Sequence, residues 1–460
     1  MKTLQNASYY LSFFKTFGRS CSRWSTAGAQ QQSPGIRVLA LLPTWKDKLN
    51  LQLEKLSVPD EVKLIEANSP TGEQGTMGNR GFCFTAFMKH CEDMIEKHSI
   101  DFILSGRDDT SVVKAALRDK FPHIPGPTLE STLLCYDKYL TRKYTDTDPS
   151  PVKYTHLDPE NFTSENLKEA LEYVGCPAII KPCVGTASFG VAKVTCLQGM
   201  VKQMNIYKKF PASGLGEFLR GRISHDKYSE AFKNGIILEE HVDASATVAI
   251  DGFIANNQII QWPAHDLLYW KSKPSCNKAF LLPSNLDKDV LENVQRRYRD
   301  IATRMMGYGY NNDFLSIEFL IQKNGDCKLM EVNPRMFSPL INLYNKCYTN
   351  GNPVQALLDF AQNKPIRRPI QVQYGLNSLI VSFNKKPTRL SDLLELNDPS
   401  TKDLFTPFFS PDEEVPLPYG DSGSPLAVAD FAAPRREDLL PAYHTLCKKV
   451  LKKPEWSPED

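Results

Sequence analysis

The stretch Asp313–Leu340, DFLSIEFLIQKNGDCKLMEVNPRMFSPL, limits the possible folds more than any other part of the chain. Leu315, Ile317, Phe319 and Ile321 alternate with Ser316, Glu318 and Leu320, the period of a half-buried strand. Asn324-Gly325 then signals a two-residue hairpin turn, because type I′ geometry needs positive φ at both positions. A turn there sets Glu318 opposite Glu331 and Ser316 opposite Asn333. Like charges facing each other in a sheet repel, unless a cation lies between them. Two carboxylates and an amide oxygen on one strand face form an oxygen set suited to Mg²⁺. Arg335 follows, a planar fork suited to a phosphate or a carboxylate. A solvated hairpin face carrying chance carboxylates reads the same way, and the hairpin alone does not separate the two.

Upstream, IRVLALLP from Ile36 is a buried-strand run, followed by a helix-like segment with Leu49, Leu53 and Leu56. VKLIEA (62–67) and DFILSG (101–106) are further strands, with helices over 82–98 and 110–120. Alternating units of this length imply α/β architecture with a parallel sheet covered on both faces. No GxGxxG follows the first strand, which excludes a dinucleotide fingerprint. Arg107 and Asp108 lie at the carboxyl end of a strand, where open sheets place ligands, and are read here as caps of the next helix. Residues 131–144 form one helix with Lys138 near its middle, and 145–165 a polar linker.

The texture then changes. A helix (165–174) leads to the strand PAIIKPCV (177–184), the loop Gly185-Thr186-Ala187-Ser188-Phe189-Gly190 and a strand over 191–197. IILEEHV (236–242) is a strand, and 247–263 a hairpin turning at Asn256-Asn257. Residues 287–306 form an amphipathic helix. The tail holds a helix (353–362), strands within 370–384, a Pro-rich region (407–434) and a closing helix (436–452).

Composition narrows the class. The chain has 460 residues, 41% hydrophobic and 23% charged, enough for two or three domains. A formal net charge of +2 gives no reason to expect nucleic-acid or membrane-surface binding, and no apolar run approaches the ~20 residues of a membrane helix. The 11 cysteines form no CxxC pair, so they suggest reduced thiols without a zinc framework. Residues 1–46 lack Asp and Glu, while Lys2, Lys15, Arg19 and Arg23 are spaced among Ser, Thr and aromatics. Such a start resembles a mitochondrial presequence ending near 24–35; a disordered cytosolic tail is the other reading.

Three features converge on a nucleoside triphosphate. Lys181 lies in an apolar strand, where a buried ammonium requires an anion unless it snorkels to water. The small residues of 185–190 let backbone N–H groups close over phosphate oxygens. Glu239-Glu240-His241-Val242 ends an apolar strand and can present backbone groups to an adenine edge.

In this order, Asp137-Lys138, Lys181-Pro182 with its loop, Glu239–Val242, and Glu318…Glu331-Val332-Asn333-Pro334-Arg335 resemble the ATP-grasp superfamily. The resemblance spans about 125–350. It implies an N-terminal Rossmann-like α/β domain (36–124) before a two-lobed ATP-grasp fold: a lid lobe near 165–245, a metal lobe near 246–350, and 351–460 completing it. By the same resemblance Lys138 and Lys181 contact ATP phosphates or the adenine. The loop 185–190 covers the phosphates and Glu239, Glu240, His241 and Val242 hold adenine. Glu318, Glu331 and Asn333 bind two Mg²⁺, with Mn²⁺ as an alternative, and Arg335 steadies a transferred phosphoryl or acyl-phosphate beside the catalytic Lys181. The chain departs from the pattern at Met336-Phe337-Ser338-Pro339, where a glycine pair is usual, and at Ala244-Ser245-Ala246-Thr247. Those positions bear on the acceptor and on ribose or lysine contacts.

The resemblance implies an ATP- and Mg-dependent carboxylate–amine ligase of the amino-acid-ligase or carnosine-synthase-like kind, acting on small molecules; apart from the resemblance, a homodimer is the commonest assembly of soluble enzymes. A kinase or carboxylate–thiol ligase on the same fold, or a non-catalytic nucleotide-binding protein, are the other classes. Weaker substrate-side candidates are Trp262–Asp266 and Lys271–Lys273, expected as a loop over the site, and Arg304.

Overall fold

The computed structural model describes residues 35–42, 62–68, 83–185, 188, 190–210, 213–271, 273–336, 340–384, 386–401, 404–415, 417 and 423–452. The expected presequence, the helix expected after the first strand, Thr186, Ala187 and Phe189 of the loop, Ser272 and Phe337–Pro339 lie outside them. The chain divides into two units, Met1–Gly35 and Ile36–Asp460, and the sheets below belong to the second.

Strands β1 (Ile36–Leu42), β2 (Val62–Asn68) and β3 (Phe102–Leu104) form a parallel sheet in the order β2-β1-β3. Alternation along β1 sends Leu39 and Leu41 towards the helices Phe84–His98 and Asp108–Lys120, and Val38, Ala40 and Leu42 into a second core. That second core also holds Tyr344, Leu357 and Phe314.

A four-stranded antiparallel sheet follows, ordered β4 (Tyr154–Leu157), β7 (Ile236–Glu240), β5 (Ala178–Pro182) and β6 (Ala192–Val194). Strand β4 lies inside the stretch read as a linker. Its four residues are too short for a periodic signal, and its pairing with β7 is entirely long-range. The helices Ser164–Val174 and Leu197–Tyr207 close one face around Leu167, Met200 and Met204.

The largest sheet has nine strands. β13 (Cys327–Asn333) and β12 (Asp313–Gln322) begin it. β8 (Ala244–Ala255) with its partner β9 (Gln258–Gln261), β10 (His265–Trp270) and β11 (Lys273–Leu282) continue it. The tail strands Tyr374–Ser382, Ser424–Ala433 and Phe405–Pro407 complete it. Ser424–Ala433 lies within the expected Pro-rich region; it pairs along its whole length with Tyr374–Ser382, and that tertiary pairing outweighs the local composition. Leu315, Ile317 and Phe319 share a core with Val294, Tyr298, Ile301 and Met305 of the amphipathic helix Lys288–Gly307. Gly252 lies under that helix, where a Cβ would come within 2.2 Å of the Tyr298 hydroxyl oxygen.

Two hairpins of this sheet match the sequence reading, one of them differing in detail, while β10 and β11 pair as a third in the stretch read as a loop. Asn256 (φ 48°) and Asn257 (φ 62°) make the anticipated turn between β8 and β9. At the other, only Gly325 has positive φ (85°). The Gly325 amide bonds to the Gln322 carbonyl at 2.9 Å, and Gln322 pairs with Asp326 across a three-residue loop rather than a two-residue one. Asn324 stays out of the left-handed region because its Oδ1 accepts the Asp326 amide at 3.0 Å. The extra loop residue shifts the register by one, so that Phe319 pairs with Leu329. A bulge at Met330 shifts it back, and Glu318 faces Glu331 after all.

Candidate active site

The site stands where the polar face of β12 and β13 meets β5 and β7, with Lys138 and Arg142 between them. Lys138 is not in mid-helix as expected. The helix Leu129–Tyr136 stops at Asp137, whose backbone is extended and whose Oδ1 accepts the amides of Tyr139 (2.9 Å) and Leu140 (3.0 Å). An acidic cap in mid-pattern restarts the helix, and the chain passes into a wider turn over Thr141–Thr145. Lys138 is thereby the first residue of a new turn. Its Nζ lies 2.8 Å from Glu331 Oε1 and donates to the Gly185 carbonyl at 2.7 Å.

Glu318 and Glu331 are direct cross-strand neighbours, as are Ser316 and Asn333. The Asn333 amide donates to Glu318 Oε1 at 3.2 Å. Burial, and then the facing Glu331 carboxylate, push Glu318 up to about 8. Burial alone would raise Glu331 too, but Lys138 and Lys181 outweigh it and hold that carboxyl below its usual range. Glu331 is therefore paired with a lysine, while Glu318 has no ion-pair partner among the described residues and feels Arg335 only from farther off. The Ser316 hydroxyl, fully buried in the same row, has no hydrogen-bond partner among the described residues.

That arrangement fits a divalent metal: two carboxylates on adjacent strands and an amide oxygen, all oxygen donors, with a charge imbalance at Glu318. No group of three or more His, Cys, Asp or Glu suited to a metal occurs among the described residues. The set rests instead on two carboxylates and one amide.

Lys181 meets the anion its burial requires. Its Nζ is 2.7 Å from Glu239 Oε2, and Arg142 Nε is 2.7 Å from Glu239 Oε1. Burial would raise Glu239, but Arg142 and then Lys181 overcome it and bring the carboxyl down to about 2. Glu239 thus orients the two cations. In the neighbouring residues, the Glu240 amide bonds to the Lys153 carbonyl, the Val242 carbonyl accepts from Ala244, and His241 Nε2 lies 3.1 Å from Lys193 Nζ. In the loop after Lys181, Ser188 (φ 57°) and Gly190 (φ 72°) are left-handed, and a Cβ on Gly190 would come within 3.0 Å of Pro182.

A pH effect follows from Glu239. Its depressed pKa stabilises the folded state above its ordinary 4.5, and that contribution is lost as pH falls towards about 2. Thermal melts of wild type and Glu239→Gln between pH 7 and pH 2.5 are expected to show the variant less stable at neutral pH, with the gap closing below about pH 4.5. A gap that stays constant with pH would contradict the pairing.

Arg335 is engaged by the N-terminal α/β layer. Its Nε and Nη2 lie 2.9 and 3.0 Å from the two carboxylate oxygens of Asp108, the first residue of the helix Asp108–Lys120. Arg107, read as a cap, makes no side-chain cap bond and pairs with Asp109 at 2.5 Å. Asp108 is accordingly a site residue that sequence reasoning assigned to helix capping. Its position past a strand's carboxyl end was the available signal.

Arg142 was missed outright. Four residues after Lys138, it shares that lysine's side of the turn. Of the weaker candidates, Trp262 is buried and donates to the Gly351 carbonyl at 3.0 Å, and His265 opens β10, so these residues are sheet and core rather than a covering loop. Lys271 is exposed between β10 and β11. Arg304 bonds to the Asp146 carbonyl at 2.9 Å instead of its helix end.

No protein-family model matches the chain, and no curated protein matches it. Solved structures do. The L-amino acid ligase from Bacillus licheniformis is 13% identical with a TM-score of 0.63, over 91% of this chain and 98% of its own. A carboxyaminoimidazole ribonucleotide synthase from Aspergillus clavatus, solved with ATP, is 11% identical with a TM-score of 0.64, over 90% and 98%. Phosphoribosylglycinamide synthetase from Anaerococcus prevotii is 12% identical with a TM-score of 0.59, over 90% and 98%. At these identities the likeness establishes a common fold.

Proposed function

We propose that this chain, which has the ATP-grasp fold, is an ATP- and Mg²⁺-dependent carboxylate–amine ligase. The observation that carries the reading is the facing pair Glu318 and Glu331 with Asn333 beside them, bordered by Lys138, Lys181 and Arg335. A non-catalytic sheet gains nothing by opposing two carboxylates, one of them buried.

Glu318, Glu331 and Asn333 would hold the metal, which when bound would screen the phosphate charge that otherwise repels an anionic nucleophile. Lys138, from the turn after Asp137, and Lys181, from β5, both buried, position phosphate oxygens. The small residues of 185–190 suit contacts from backbone N–H groups to those oxygens. The hinge Glu239–Val242 lines the base. Arg335, fixed through Nε and Nη2 by Asp108 and donating from Nη1 to the Met336 carbonyl at 3.2 Å, keeps a second Nη1 hydrogen and its charge for the transferred phosphoryl or acyl-phosphate. The substrate carboxylate attacks the γ-phosphorus and the bond to the bridging oxygen of ADP breaks. The amine then attacks the acyl carbon, phosphate leaves with the bonding electron pair, and the ammonium proton passes to solvent. Positioning and charge screening account for the whole device, consistent with the absence of a Ser-His-Asp arrangement in the motifs. The N-terminal segment is proposed to act as a mitochondrial presequence.

The test is product analysis with MgATP and pooled amino acids and small carboxylates. ADP, free phosphate and a condensed product by mass are expected. A phosphorylated product without free phosphate would replace the reading with a kinase, and binding without turnover would replace it with a nucleotide-binding role.

A further inference from the structure

The geometry points to Arg142 as a positioning residue that ties the lid sheet to the metal carboxylates by gripping the β-bulge that sets their register. The functional half of this inference rests on the nucleotide and metal reading above; the structural half does not.

One guanidinium, its side chain 3% exposed, reaches two sheets at once. Nε donates to Glu239 at the end of β7 (2.7 Å). Nη1 donates to the Leu329 carbonyl (2.5 Å), and Nη2 reaches the Met330 carbonyl (3.5 Å). Leu329 and Met330 are the residues where β13 gains its extra position. Without that bulge the three-residue turn would leave Glu331 one place out of step. Its side chain would then point to the opposite face of the sheet, into the core beside Ile317. A bulge carries an unpaired stretch of ladder, and Arg142 supplies the donors that its carbonyls need.

Lys138 and Arg142 leave the same short segment four residues apart. Lys138 holds the Gly185 carbonyl and Glu331, while Arg142 holds Glu239 and the carbonyls just before Glu331. The segment is stiff: Thr141 Oγ1 bonds back to the carbonyls of Leu134 (2.9 Å) and Asp137 (3.0 Å), and Thr145 Oγ1 to that of Thr141 (2.7 Å). Asp146 anchors the far side of the guanidinium at 3.5 Å and is itself held by Arg297 at 3.2 Å. The fork matters as well as the charge, because a lysine ammonium is a point donor that cannot span Glu239 and both carbonyls.

Arg142→Lys is the decisive variant, with Arg142→Gln, which also loses the fork to the Leu329 and Met330 carbonyls, taken should the first fail to fold. Two readouts are taken on the full chain. Hydrogen exchange is followed in peptides spanning Cys327–Asn333 and Ile236–Glu240, and the Mg²⁺ requirement for ATP binding is found by titrating Mg²⁺ at fixed ATP. The expected result is about tenfold faster exchange in both peptides from loss of charge-assisted hydrogen bonds, with exchange in Ile36–Leu42 unchanged. The Mg²⁺ requirement is expected to rise about 10- to 100-fold, the usual effect of losing a residue that orients metal ligands. Unchanged exchange overturns the grip on the bulge, and faster exchange with an unaltered Mg²⁺ requirement overturns its link to the carboxylates. If wild type binds no MgATP, the proposed function falls, and the exchange arm still decides whether Arg142 holds the bulge.

Discussion

Replacing Glu331 by Gln is expected to cut Mg-dependent ADP formation sharply at only a modest loss of fold stability. In the wild type the two carboxylates face each other across β12 and β13, and burial, then the facing Glu331, raises Glu318 to about 8. Lys138, 2.8 Å away, and Lys181 favour the ionised form of Glu331, so losing its charge leaves the Lys138 ammonium without its counterion. The amide keeps the shape and still accepts a hydrogen bond from Lys138, which limits that loss. Metal binding suffers, because one anionic oxygen donor becomes neutral. Turnover should drop by on the order of 10²-fold or more, as when one preorganised electrostatic element is removed elsewhere, with ATP binding merely weakened through Lys138 and Lys181. Steady-state ADP release and a urea melt on the same preparation decide it. Full turnover would remove Glu331 from the metal set; loss of turnover together with a large loss of stability would make the residue structural.

The same pair shows how far local pattern reaches. Alternation along β12 and the Asn324-Gly325 signal placed Glu318 against Glu331 correctly, yet through two offsets that cancel: a longer turn and a bulge at Met330. Neither offset is visible locally. The turn depends on whether Asn324 adopts positive φ or bonds Asp326, and the bulge depends on Arg142, which comes from far along the chain. Lys181 in its apolar strand told that an anion must be near, but not that Glu239 would be that anion. Asp137 read as helix interior and acts as a cap, because Asp gains more from two backbone amides than from continuing the helix. Strands β1 and β3, and the apolar runs within β2, β5 and β7, were legible because buried strands carry near-continuous apolar residues. Strand β4, and Ser424–Ala433 with its prolines nearby, were not, since their partners are distant. Asp108 lay in view at the carboxyl end of β3, and only the folded chain shows that it reaches Arg335 in preference to capping its helix.

The largest stability effect is expected from Lys114→Met. Lys114 rises from the helix Asp108–Lys120 with no exposed side-chain surface, and its Nζ lies 2.7 Å from Asp313, whose side chain is 4% exposed. Asp313 is the first residue of β12, and Arg335, just past the end of β13, is held by Asp108 of the same helix. One helix therefore pins both strands at the open end of the hairpin that carries Glu318 and Glu331. Burial pushes the Asp313 carboxyl up even with Lys114 beside it, so the lone carboxylate would be costly. Removing one partner of a buried pair typically costs about 3–5 kcal/mol, because the other charge is left without compensation. Replacing both by apolar residues of similar volume is often neutral, so Lys114→Met with Asp313→Leu should recover most of the loss. Equilibrium unfolding of the two single variants and the double gives the coupling directly. Additive losses in the double variant would mean that the pair does not act as a unit, and that the hairpin is held at this end by apolar packing around Phe314 and Phe253 instead.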